Sequence, residues 1–351
     1  MPPLSYDIIM ATRNRPEAVA LSLPLILAQS RLPAEVVIVD SSDDPAPIRA
    51  LAEEAAARNI VPVRYTHSGP GLTHQRNVGL GMTGSPIVIF PDDDSLMYLD
   101  CADHILAAYE ADTDHTIAGV CARPVDHAPP ETTGDLGAYQ AETTSTVKTA
   151  IAALRQALKD ALGFTNPFVA TGRKLNAQYR LPGWAAHQNV VRVPYMTGFR
   201  MSYRRAAIQE PGFDETLQRY GWYEDIDASC TALRQGQTVG ALNARIYHHR
   251  VAAARANGYT MGLWAVLNRT YVVTKHIRAN PGVFRSPGLH IARLKAYCQA
   301  RALVYRLTAR DQFARDRARG AADGLARMDQ LTRAAPDDLA AAYTRLTAEA
   351  A

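Results

Sequence analysis

The chain has 351 residues, 47% of them hydrophobic, with 38 basic and 34 acidic side chains and a formal charge of +4. That length and apolar content suffice for one large or two modest domains and exclude a disordered or fibrous chain. So small a positive charge calls for no nucleic-acid partner and points only weakly to phosphate-bearing ligands or anionic membranes. Cys101, Cys121, Cys230 and Cys298 are scattered without CxxC spacing, which argues against a zinc site and a disulfide framework and for a reducing cytoplasm. No signal-peptide pattern opens the sequence and no apolar run reaches spanning length, so a cytoplasmic protein is expected.

From the N-terminus, short apolar runs alternate with helical patterns. Asp7-Ile-Ile-Met-Ala is followed by a helix over 15–29, Glu35-Val-Val-Ile-Val-Asp by a helix over 48–58, and then comes Val61-Pro-Val-Arg-Tyr. This order predicts βαβ units on a mostly parallel sheet flanked by helices. Pro24 falls inside the first helical pattern, where the loss of an amide donor should kink or break the helix. The predicted strands end in polar clusters: Thr12-Arg13-Asn14-Arg15, Asp40-Ser41-Ser42 and Asp92-Asp93-Asp94. Since ligands of open α/β sheets bind at the carboxyl ends of the strands, these clusters should converge on one edge.

The triplet follows the buried-strand pattern Ile87-Val-Ile-Phe. Three adjacent carboxylates repel one another unless solvent or a cation neutralises them. A divalent ion holding a polyphosphate is one reading. The other is a solvated turn in which Asp94-Ser95 caps a helix begun by Leu96.

A further strand, Thr116-Ile-Ala-Gly-Val-Cys, precedes a Pro/Thr/Gly-rich stretch over 123–149 and a helical pattern over 151–162; together they read as an insertion reaching to about residue 192. Next comes Gly212-Phe-Asp-Glu, then Tyr220-Gly-Trp-Tyr-Glu-Asp, with Glu224 and Asp225 opening a helix. Carboxylates in a first turn are ordinary and are stabilised by the helix dipole, which should keep Asp225 ionised. The neighbouring Tyr220, Trp222 and Tyr223 offer flat faces with polar edges, suited to a sugar ring. A last strand ends in His248-His249; if Ile246 packs inward, His248 shares its face and is the better candidate to complete a carboxylate metal site. Beyond 250 the pattern becomes helical. There Arg293, Arg301, Arg306 and Arg310 alternate with Leu294, Leu303, Val304 and Leu307, compatible either with peripheral attachment to an anionic membrane or with a solvated basic face.

Taken in order, Ile9-Met-Ala-Thr-Arg-Asn-Arg-Pro, Val39-Asp-Ser-Ser, Gly71-Leu-Thr-His-Gln-Arg-Asn-Val-Gly, Phe90-Pro-Asp-Asp-Asp, Gly212-Phe-Asp-Glu and Tyr223-Glu-Asp-Ile-Asp make the chain resemble family 2 of the glycosyltransferases, over roughly 6–250. The resemblance implies a GT-A, Rossmann-like fold at 1–250, with a nucleotide-binding half at 1–122 and an acceptor half at 123–250, followed by a helical extension at 251–351. It implies inverting transfer from a nucleoside-diphosphate sugar, UDP favoured, to a glycan or lipid-linked acceptor, with Mn2+ or Mg2+ as cofactor. Thr12, Arg13, Arg15, Asp40, Arg76, Asn77 and Asp93 would bind the nucleotide, and Asp92 and Asp94, with His248, the metal. Asp225 would be the general base with Glu224 beside it, and Tyr220 and Trp222 would meet the acceptor. The second strand ends Asp-Ser-Ser where the family more often has Asp-Asp-Gly-Ser, which leaves the base preference open. Two other readings compete: a nucleotidyltransferase, against which the glycine-free Thr12–Arg15 loop counts, and a silent nucleotide- or sugar-binding protein, which would more readily have lost one of the two acidic centres.

Overall fold

The computed structural model describes residues 3–134, 165–217, 221–250 and 256–348. They form two compact units, one from segments 1–143 and 179–253, the other from 144–178 and 254–351.

The first unit is built on a nine-stranded sheet. Its first four strands are β1 (Tyr6–Thr12), β2 (Glu35–Asp40), β3 (Val63–His67) and β4 (Ile87–Phe90). Then come β5 (Ser95–Met97), β6 (Ile117–Val125), β7 (Val190–Arg192), β8 (Met201–Arg204) and β9 (Gln237–His248). The order is β3-β2-β1-β4-β8-β6-β9-β5, with β7 also paired to β9. β1 to β4 pair in parallel, β8 lies antiparallel between β4 and β6, and β9 runs parallel to β6. Hence β1, β2, β3, β4, β6 and β9 all point one way, and only β5, β7 and β8 run against them. The carboxyl ends of β1, β2, β4 and β9 therefore lie on one edge, together with the amino end of β8.

Alternation along the strands buries both faces of the sheet. Ile8, Met10, Val36, Ile38, Ile87 and Ile89 pack with helices α1 (Pro16–Leu27), α2 (Ala46–Ala57) and α4 (Cys101–Ala111). Ile9, Val37, Val39, Val88 and Phe90 face α3 (Leu72–Met82) and the Glu224–Ala232 helix. Strands sheltered on both sides must be apolar throughout, which is why they read as continuous hydrophobic runs. Pro24 does not break α1: the helix runs on to Leu27. The carbonyl deprived of its donor belongs to Ala20, an exposed residue, so water can satisfy it.

The second unit is helical, with helices at Pro167–Asn176, Gly258–Ala279, Pro287–Leu307, Gln312–Arg333 and Leu339–Ala348. Among the described residues no helix is long and apolar enough to cross a membrane. Two glycine pairs at i, i+4 set its closest packing: Gly258 and Gly262 on one helix face Phe313 and Arg317, while Gly320 and Gly324 on the other face Tyr259 and Val266. A Cβ on Gly262 would overlap the Arg317 carbonyl oxygen, and one on Gly320 the Tyr259 carbonyl oxygen. Backbone cannot yield as a flexible side chain can, so Gly320→Ala must part the helices. The expected result is a loss of about 3 kcal/mol, at the upper end of overpacking costs, read as a lowered calorimetric Tm; an unchanged Tm would show that the helix pair is not so tightly seated.

Candidate active site

The triplet leaves β4 beside the end of β1, where Ala11 and Asp92 form one further parallel bridge. With β2 and β3 on one side of β1 and β4 on the other, the chain reverses direction here, opening the crevice in which such sheets hold ligands. Thr12 Oγ1 donates to Asp93 Oδ2 at 2.8 Å, and Arg15 Nη1 lies 2.8 Å from Asp93 Oδ1. The second nitrogen of Arg15 bonds Asp94. Leu96 does not begin a helix: β5 pairs antiparallel with β9, setting Ser95 opposite His248 and Leu96 opposite Tyr247. Asp94 is thus no helix cap. The register brings His248 Nε2 to 3.2 Å from Asp94 Oδ1. Ile246 is buried, and His248 faces the triplet, while His249 gives its backbone N–H to the Asp94 carbonyl.

Oxygen and nitrogen atoms of Asp92, Asp94 and His248 all lie within 4.8 Å of one another. Two carboxylates and an imidazole at that spacing suit a divalent ion such as Mn2+ or Mg2+. Burial pushes the carboxyl of Asp93 up to about 7 against the pull of Arg15. Burial acts on Asp94 too, but its contacts with His248 and Arg15 prevail and hold it at about 2. The triplet is therefore split, with Asp94 a firm anion beside a far weaker acid.

The second centre stands on the Glu224–Ala232 helix, entered through Tyr223 at φ 81°, a left-handed conformation that strains a bulky residue and is found mainly where the surroundings impose it. Glu224 is buried and bonds Arg76 Nη1 at 2.6 Å. Arg76 is itself 2% exposed, and its other nitrogen lies 3.0 Å from Asp92 Oδ1. One guanidinium therefore ties the two acidic centres together. Asp225 remains partly open. Its two oxygens accept from backbone: Oδ2 from Gly198 N–H at 3.0 Å and Oδ1 from Ile226 N–H at 2.8 Å. Burial raises the carboxyl of Asp225 above its ordinary value despite both bonds.

Residues 7–162 match the family described as Glycosyl transferase family 2. That segment, under half of the chain, resembles a family 2 glycosyltransferase. No curated protein matches the chain in sequence. Among solved structures, it resembles the mannosyltransferase PcManGT from Pyrobaculum calidifontis in complex with GDP-Man and Mn2+, with 16% identity and a TM-score of 0.52 over 99% of this chain and 86% of that one. It also resembles GalNAc-T7 with UDP, GalNAc and Mn2+, with 14% identity and a TM-score of 0.52 over 78% of this chain and 48% of that one. At these identities the likeness is one of fold, and the fold is GT-A.

Within the first unit, Thr12, Arg15, Asp92, Asp93, Asp94 and His248 come together, and Arg76 links them to Glu224. Asp40 lies at the end of β2, accepting from Ser42 N–H at 2.8 Å and the Tyr65 hydroxyl at 2.9 Å. Arg13 is exposed and pairs with Asp43. Asn77 clamps the Gly212–Glu215 segment: its amide donates to Phe213 O and Glu215 and accepts from Phe213 N–H. Trp222 stacks on Tyr223 with centroids 4.8 Å apart. Tyr220 and the helical pattern over 151–162 lie outside the described residues.

Sequence reasoning missed Gly198 and Phe199. Gly198 holds Asp225, and a Cβ there would press on Arg76 and Glu224 at 3.2 and 3.3 Å. The ring of Phe199 stacks on His248 at 4.3 Å, and its carbonyl accepts from Ser95 Oγ, which in turn receives the Asp92 N–H. Both residues sit just before β8, a four-residue strand whose apolar alternation is too short to stand out. Gln75 was missed as well; its amide donates to the carbonyls of Thr12 and Val39 at 2.8 Å, bracing the ends of β1 and β2.

Proposed function

We propose that the protein transfers a sugar from a nucleoside-diphosphate sugar, with UDP the favoured nucleotide, to a hydroxyl of a glycan or lipid-linked acceptor, inverting the anomeric carbon in a single displacement. The observation that carries this reading is the arrangement of two acidic centres on one sheet edge: a clustered Asp92, Asp94 and His248, and a separately held, partly open Asp225.

Asp92, Asp94 and His248 would hold Mn2+ or Mg2+, which supplies Lewis-acid neutralisation of the departing diphosphate. Thr12, Arg15 and Asp93 line the crevice where the nucleotide would lie. Arg15 adds a fixed positive charge at the same edge, suited to phosphate oxygens. Asp225 takes the proton of the acceptor hydroxyl; its two backbone bonds fix the carboxylate while leaving lone pairs for that hydrogen bond. Glu224, committed to Arg76, is unsuited to the same task. An acceptor ring finds a flat partner in Trp222. In this reading the protein works in the cytoplasm. The exposed Leu303, Val304 and Leu307, beside Arg306, offer a surface for peripheral attachment to an anionic membrane.

Thermal shifts with UDP, GDP, dTDP and CDP, with and without Mn2+, test the donor and metal together. UDP with Mn2+ should stabilise the protein most, since a ligand bound only to the native state raises Tm by mass action. Asp94→Ala should abolish the Mn2+-dependent part of the shift. A UDP shift that is the same with and without Mn2+, or unchanged in the variant, would sink the assignment.

A further inference from the structure

The helical unit carries a half-open pocket of 440 Å³, within the range of small-molecule sites. Its walls divide by chemistry. Pro167, Val273, Ile277 and Leu294 form an apolar side, and Lys174, His290, Arg293 and Thr171 a polar one. Among the described residues no carboxylate lines it.

Among the described residues the polar side holds positive charge without a counter-ion. Lys174 Nζ lies 3.0 Å from His290 Nε2 and 5.2 Å from the centroid of the Phe284 ring, on which His290 packs edge-on. For the ammonium to donate to Nε2, that nitrogen must be unprotonated, and burial together with the charges of Lys174 and Arg293 holds His290 below its ordinary value. Both partners of Lys174 are therefore neutral. Among the described residues neither Lys174 nor Arg293 pairs with a carboxylate, whereas Lys295 and Arg333 pair with Asp329 and Arg319 with Asp316. His290 and Arg293 also lie in the first two turns of the Pro287–Leu307 helix, whose amino end adds a partial positive charge.

We infer that this pocket is a binding site for a phosphate monoester bearing an apolar group. Lys174 would supply a point charge, Arg293 a forked pair of donors and Thr171 a hydroxyl, while the apolar wall takes the organic body. The site belongs wholly to the helical unit and requires none of the residues assigned to sugar transfer.

Calorimetric titration of the full-length protein with phenyl phosphate, and with phenol as its uncharged counterpart, tests the inference. Phenyl phosphate should bind and phenol should not; Lys174→Ala and Arg293→Ala should each weaken binding at least about ten-fold, the cost of losing a charge-assisted contact, and Lys174→Arg should largely preserve it. UDP–Mn2+ binding, measured alongside, should be unchanged in all three variants, which separates a failure here from a failure of the proposed transfer site. No heat at millimolar phenyl phosphate, equal affinity in the alanine variants, or displacement of phenyl phosphate by UDP would overturn it. So would sedimentation with phosphatidic acid vesicles in the absence of any phenyl phosphate binding, since the ligand would then be a membrane surface.

Discussion

Asp225→Asn should lower kcat for sugar transfer by roughly a thousand-fold, in the middle of the range for loss of a general base, while Kd for UDP–Mn2+ stays within about two-fold. The substitution keeps the size of the side chain but removes the proton acceptor. It also replaces one oxygen by an amide that cannot accept, so one of the two backbone bonds, from Gly198 or Ile226, is lost. A stability loss of about 1 kcal/mol is expected from that bond, far less than the kinetic effect. Because burial raises the carboxyl of Asp225, the base must lose its proton above the usual aspartate value, so kcat/KM should rise with pH along an acid limb displaced upward from about 3.9. In Asp225→Asn the residual rate should lose that limb. Equal loss of nucleotide affinity and turnover would mean instead that Asp225 serves the structure.

Much of this site was legible because local chemistry and fold agree in the first hundred residues. Val36, Ile38, Ile87 and Ile89 had to be strands buried on both faces, and βαβ connection forces their ends to one edge, so Thr12, Asp40 and Asp92 could be placed together from the order of elements alone. His248 followed from the period of two along β9 once Ile246 was taken as buried. What stayed hidden depends on pairing between distant segments. β5 has only three residues, and Leu96 satisfies a helical pattern as readily as a strand; the choice is made by β9, about 150 positions later, which no local propensity reports. Gly198 and Phe199 matter through a backbone N–H and a ring face, groups that carry no residue-type signature. The glycine pairs of the helical unit were visible as letters, but their meaning lies in the partner helix. The resemblance assigns Arg76 to the nucleotide, but its burial between Asp92 and Glu224 emerges only when α3 is laid against the sheet.

That burial makes Arg76→Leu the most destabilising single change expected in the domain. Leucine fills much of the volume but leaves the carboxylates of Asp92 and Glu224 without their cation, and removing one partner of a buried pair costs about 3–5 kcal/mol. For a chain of this size the melting temperature should fall by roughly 10 °C. The pH dependence separates lost charge from lost packing. Burial, with Asp225 nearby, already raises Glu224 above its ordinary value while Arg76 pulls against the rise; without the arginine the native-state value must climb further. A carboxyl raised in the native state holds its proton there more firmly than in the unfolded chain, so the variant is least impaired below the unfolded value near 4.3 and loses stability as pH climbs through the raised one. Since Glu224 of the unsubstituted protein, raised to about 8, keeps its proton below that value, the Tm deficit should widen as pH climbs through about 8, so that it is smaller at pH 6 than at pH 9, and a second change, Glu224→Gln, should recover part of it at pH 9. A deficit independent of pH and untouched by Glu224→Gln would assign the loss to packing against Phe213, whose ring lies 5.3 Å from the guanidinium, and would remove the electrostatic link between the two acidic centres.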